Sequence, residues 1–300
     1  MSFAASCPRS SPSSNARNSD AGWALVSVLW ALTMLALMAA ATQALTVTAY
    51  NSERHAMVDA RANADLDAAV VRAVLGISDL RPEQRWRTDG TPRAIAYDGL
   101  RIRVSVQDEL GRIDLNATSA STIRALLLGN GLTPDDAATL ADRIADWRSP
   151  AGPVSLHGAS DADYRAAGLA YVPRHGPFQT VDEARLVLGM TPALFARIRP
   201  ALTVYTKRPS FDPSLAPREA LVALYPGDPG KIDQILRARS GDIGLTQPGN
   251  APGAAPLGVP FGRAYEVTAE LAIGRRTFRR GAVVELTGSG KRAYFVLAWR

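Results

Sequence analysis

The chain has 300 residues, 47% of them hydrophobic, and a formal net charge of +6. That hydrophobic share excludes a disordered chain, and so small a charge excess makes no case for a dedicated polyanion binder. The single cysteine, Cys7, excludes an internal disulfide framework and a cysteine-rich zinc site.

Residues 2–18 are a polar leader rich in Ser, Asn and Ala, with Arg9 and Arg17 as its cations. Gly22 follows, and no charged residue occurs between Asp20 and Glu53. The apolar run Trp23–Ala41 approaches the ~20 residues that a membrane-spanning helix needs. It carries Trp23 and Trp30 and no helix breaker. A cleaved secretory signal is the alternative, with an h-region of about 7–15 residues and Thr42-Gln43-Ala44 as a small-x-small site. The length of the run favours an anchor. A polar leader, a glycine and an uncharged helix start together resemble the type IV prepilin cleavage pattern. That pattern puts the cut between Gly22 and Trp23.

Helical character continues past the apolar run. Met57, Ala60, Ala64, Ala68, Val71 and Leu75 recur at three- and four-residue steps, an amphipathic stripe. Alanine, the best helix former, dominates here. The reading is one helix from Trp23 to about Leu80, roughly 87 Å long at ~1.5 Å per residue. Its first half suits a bilayer and its second half suits packing on a soluble domain.

Beyond Leu80 the period changes to two. Leu100, Ile102, Val104 and Val106 alternate with Arg101, Arg103 and Ser105, which predicts a half-buried strand after the turn Asp98-Gly99. A second strand is expected at Arg112–Leu115.

A helical block follows, and it contains an internal repeat. Residues 113–127 align without a gap with residues 211–224, matching Asp114 to Asp212 and Asn116 to Ser214. Ile123 and Leu126 match Leu221 and Leu224. The repeat predicts a polar turn and then a helix, capped near Ser119 or begun at Pro217. Each copy is followed by a turn and a further helix, and residues 178–205 form a looser third copy. Such units resemble helix-hairpin-helix modules, whose hairpin N–H groups can contact phosphates. A membrane-tethered DNA-binding protein is therefore the alternative function. Asp135, Asp136 and Asp228 in these hairpins would repel phosphate, so packing units are the favoured reading.

A Pro/Gly-rich stretch at 244–260 reads as a connector. Three strand patterns close the chain, with Gly274-Arg275-Arg276 and Gly288-Ser289-Gly290 as turns, so an antiparallel meander is expected. Tyr265, Val267, Ala269, Leu271 and Ile273 share a face suited to the amphipathic half of the N-terminal helix. The late arginines (Arg275, Arg276, Arg279, Arg280 and Arg292) read as a solvated strand face.

The sequence holds no HExxH, CxxC, GxSxG or P-loop pattern, and its three histidines, His55, His157 and His175, are scattered. Asp142 and Asp146 share a helix face and read as solvated. Asp161 and Asp163 can offer oxygen ligands to Ca²⁺, with a plain surface turn as the competing reading. No catalysis is expected.

The order of leader, Gly22, anchor helix, strands, helical block, connector and meander resembles the general secretion pathway protein K family, the minor pseudopilins of type II secretion. The residues carrying the resemblance are GWALVSVLWALTMLAL, DELGRIDLNAT, LADRIADWR, GPFQTVDEARLVLGMTPALFARIRPALTVY, FDPSLAPREALVAL and YFVLAWR. It implies an α+β pseudopilin fold, a long helix on a small antiparallel sheet, with a large inserted all-α domain. The expected divisions are leader 1–22, membrane part 23–50, first sheet-lobe segment 51–115, inserted helical domain 116–204 and second sheet-lobe segment 205–300. The resemblance further implies cleavage by prepilin peptidase, N-methylation at Trp23 and a tip complex with two other minor pseudopilins. It also implies docking on the inner-membrane assembly platform, with the C-terminal domain in the periplasm and no nucleic-acid partner. Most pilin-like proteins have Glu at the mature fifth position. Here that residue is Ser27, as in the K family. Where the family has further acids after the "DW", this chain has Ser149 and Ala151, which thins the donor set for Ca²⁺.

Overall fold

A computed structural model of the chain describes residues 19–81, 83–241 and 261–300. The leader before Ser19 and the connector at 244–260 lie outside the described residues. The chain divides into two units, one running to Arg61 and one from Ala62 to Arg300.

In the first unit the described residues belong to α1 (Ser19–Ile77). Its segment Trp23–Gln43 is long and apolar enough to cross a membrane. Every side chain of that segment is exposed, its large apolar ones from Val26 at 51% to Trp23 at 81%. In water such a surface is unfavourable at about 25 cal/mol per Å², so it asks for a non-aqueous surrounding.

The second unit carries a five-stranded sheet: β1 (Arg93–Tyr97), β2 (Leu100–Asp108), β5 (Arg263–Ile273), β6 (Arg276–Leu286) and β7 (Tyr294–Trp299), in that spatial order. Every neighbouring pair is antiparallel. The alternation in β2 appears as expected, with Ile102, Val104 and Val106 buried and Arg101 and Arg103 exposed. The C-terminal meander and its two turns are also present. Tyr265, Val267, Ala269 and Leu271 are buried against the last turns of α1, with Ile273 packed at the margin.

The face of α1 that they meet is not the expected stripe. Met57, Val71 and Leu75 are exposed at 73%, 44% and 60%, and the buried face is Ala62, Leu66, Ala69, Val70, Ala73, Val74 and Ile77. An alanine-rich helix offers several phases at a period of 3.6. The phase that wins puts the bulky Leu66, Val70, Val74 and Ile77 on the sheet. Gly76 is required there, because Trp86 lies where a Cβ would stand and its N–H donates to the Gly76 carbonyl at 3.0 Å.

The second expected strand shrinks to β3 (Ile113–Asp114) and leaves the sheet. It pairs in parallel with β4 (Leu202–Thr203) inside the helical lobe. That lobe contains α2 (Ala120–Gly129), α3 (Pro134–Arg148), α4 (Asp161–Ala166), α5 (Pro192–Ile198), α6 (Arg218–Leu221) and α7 (Pro229–Gly241). Ser119 caps α2 as expected, accepting from Thr122 N, and at the start of α3 Thr133 precedes Pro134 and accepts from Asp136 N. One apolar core runs through the lobe from Ile113 to Ile232, with Ile235 and Leu236 packed on it. The lobe therefore continues past residue 204, where the sequence put its end. Ala216, Ala220 and Leu221 of the second repeat are buried in the same core as Ile123 and Leu126 of the first.

The repeat itself is structural. Asp114 accepts from Asn116 N at 2.8 Å, and Asp212 accepts from Ser214 N at 2.8 Å, so both copies open on the same carboxylate-closed turn. Leu224, the match to Leu126, departs from the pattern and is 44% exposed, because α6 is a single turn.

Candidate functional site

The features with functional bearing are the exposed apolar helix, the polar seam between sheet and helical lobe, and the acidic residues of α3 and α4.

Gly22 and Trp23 are adjacent within α1, and Ser27 lies just over one turn further on. The Ser27 hydroxyl donates to the Ala24 carbonyl at 2.9 Å, Thr33 to Trp30 at 2.8 Å and Thr42 to Ala39 at 2.9 Å. Each hydroxyl is satisfied within the helix, which suits a hydrocarbon environment that supplies no partner.

The seam starts where β2 ends. Asp108 accepts from Leu110 N at 2.8 Å and faces Arg263 at 3.5 Å. Glu109 is buried and pairs with Arg112 at 2.9 Å. Arg112 also binds Glu266 of β5, and Arg300 binds the other Glu266 oxygen. Burial pushes Glu109 up, with Arg112 opposing, whereas Arg112 and Arg300 outweigh burial to hold Glu266 down. Around this cluster, Gln107 Nε2 donates to the Leu215 carbonyl at 2.7 Å and Asp212 N to the Leu110 carbonyl at 2.7 Å. Gly111 is needed at the closest approach, since the Leu215 carbonyl occupies the space of a Cβ. Sequence reading passed over this seam. The one signal it offered was a charged Asp-Glu pair closing a buried strand.

Burial raises the Asp108 carboxyl from 3.8 to about 6, with the Leu110 amide and Arg263 offsetting part of the cost. Between about pH 4 and pH 6 the folded chain holds a proton there that the unfolded chain has not yet taken up. That stabilisation is present near pH 4 and is lost as pH rises through about 6. Asp108→Asn removes it. Relative to the variant, the wild type is expected to lose about 1.4 kcal/mol of stability between pH 5 and pH 8. Urea melts at both pH values check this, and parallel pH dependence in the two proteins would contradict it.

Asp142 and Asp146 are not a solvated face. Asp146 accepts from Ser155 N at 3.1 Å and from its hydroxyl at 2.7 Å, while Asp142 accepts from His157 N at 3.2 Å and pairs with its ring Nδ1 at 3.1 Å. Together they pin the loop after α3. Asp161 accepts from His175 Nε2 at 2.8 Å, and Asp163 closes the capping box with Ser160 that starts α4. Hydrogen bonds from Ser160 hold the Asp163 carboxyl below the usual range. Among the described residues no three His, Cys, Asp or Glu side chains gather to hold a metal ion. The hairpin between α2 and α3 presents Asp135 and Asp136 in the first turn of α3, opposite in sign to what a phosphate needs.

Residues 105–207 match the family model described as type II secretion system protein K, first domain. The type II secretion system protein K of Pseudomonas aeruginosa is 28% identical over 212 residues, 64% of this chain and 63% of that protein. That of Klebsiella pneumoniae is 30% identical over 176 residues, 52% of this chain and 53% of that protein. The matched region thus spans less than two thirds of the length of these curated relatives. Among solved structures, the GspK-GspI-GspJ complex from the enterotoxigenic Escherichia coli type 2 secretion system contains a chain with the same fold. Its TM-score is 0.57 at 14% identity, covering 83% of this chain and 98% of that one.

Proposed function

We propose that this chain is a member of the type II secretion system protein K family, a minor pseudopilin that supports export of folded proteins across the outer membrane. One observation carries the reading. The exposed apolar segment Trp23–Gln43 is joined in one chain to residues 105–207, which match the protein K family model. The role is assembly. The helix anchors the subunit in the inner membrane by a single pass, with its folded part in the periplasm.

Processing is proposed at Gly22, with Trp23 as the new, N-methylated terminus. Ser27 then stands at the mature fifth position. A carboxylate there would need a neighbouring subunit's amine, because an unpaired charge in hydrocarbon is costly. A subunit with nothing above it needs no such group, which supports a place at the tip. The solved relative is in complex with two further chains, GspI and GspJ, which supports two minor-pseudopilin partners here. Deleting the chain in its own cell tests the role. Folded exoproteins should then accumulate in the periplasm, and undiminished secretion would refute the proposal.

A further inference from the structure

The second unit holds two separate apolar cores, one between α1 and the sheet and one in the helical lobe. What joins the lobes is polar. At its centre Arg112, 8% exposed, bridges Glu109, 1% exposed, and Glu266, while Arg300 holds the far oxygen of Glu266. Two carboxylates face two guanidiniums, so the cluster is charge-balanced. The buried Arg112 Nε makes no hydrogen bond within the cluster.

We propose that this ion cluster is a latch that holds the helical lobe on the sheet, and that loosening it lets the lobes move relative to each other while both cores stay folded. Buried ion pairs add little net stability but fix geometry, and removing one partner leaves an uncompensated buried charge. The nearest way to hydrate that charge is to open the seam, since neither apolar core passes through it. Polar contacts between lobes are in general the kind that permit relative motion, whereas a continuous apolar interface resists it. Other contacts across the seam include hydrogen bonds to main-chain carbonyls, from Gln107 to Leu215, from Asp212 to Leu110 and from Arg87 to Arg239.

The test uses the full chain in lipid nanodiscs, with Cys7 replaced by Ser and spin labels on cysteines introduced at the exposed positions Arg124 of α2 and Thr277 of β6. In Glu266→Gln the distribution of label distances should widen at least twofold, with helical content unchanged. Arg300→Met, which removes only the outermost cation, should widen it less. Should Glu266→Gln fail to fold, Arg300→Met decides alone. An unchanged width in Arg300→Met, or loss of both cores together in that variant, would overturn the latch.

Discussion

Gly22→Val should leave an uncut precursor in the inner membrane and abolish secretion. The argument is steric and topological. A peptidase that cuts immediately before an uncharged helix start must accept the preceding residue in a confined site. Gly22 brings no side chain into it. On the proposed function the helix that follows has to survive the cut, because the exposed run Trp23–Gln43, long and apolar enough to cross a membrane, would be the anchor. A β-branched residue at 22 blocks the cut without altering the span, so the protein should accumulate at full length and in the right compartment. Immunoblotting of membranes reads the precursor, and exoprotein export reads the function. Normal processing and normal export in Gly22→Val would remove Gly22 from the proposal.

The largest effect on stability is expected at Asp114. Its carboxylate is 1% exposed and accepts from Asn116 N at 2.8 Å, Thr206 N at 2.9 Å, the Thr206 hydroxyl at 3.0 Å and Lys207 N at 2.8 Å. It thereby joins the entry of the helical lobe to its first exit, beside the short β3–β4 pair. It also holds Lys207 at a φ of 55°, which a side chain rarely adopts unaided. Asp114→Ala leaves three main-chain amides without their acceptor, and the cost is expected at about 3–5 kcal/mol. For a folded part of this size that lowers Tm by roughly 10 °C. Thermal unfolding in detergent measures it, and a loss below about 1 kcal/mol would show that water replaces the carboxylate without penalty.

Much of the fold could be read from pattern because burial there is periodic. β2 alternates cleanly since only one of its faces is covered by α1. The C-terminal meander has glycines at the turns that need them, with Gly274 at φ 60° and Gly288 at φ 70°. The two carboxylate-closed turns at Asp114 and Asp212 were visible as a repeat because their chemistry is local. β1 escaped notice since it is an edge strand with little burial and no alternation. The helix phase was misread because alanine marks no face by itself. The position of β3 depends on Leu202, and the end of the helical lobe on how α6 and α7 pack; neither partner is near in sequence. The ion cluster was hidden for the same reason, since Arg112 and Glu266 are 154 residues apart. Asp142 and Asp146 were placed on a solvated face because nothing in their own helix shows that Ser155 and His157 fold back onto them.

The account rests on the apolar helix being retained and the leader being removed, and mass spectrometry of the mature N-terminus tests this most directly. A chain beginning at Trp23, carrying one methyl group on its amine and recovered with the inner membrane, is the predicted result. A chain beginning at Leu45, freed from the membrane by a cut after Ala44, would contradict it.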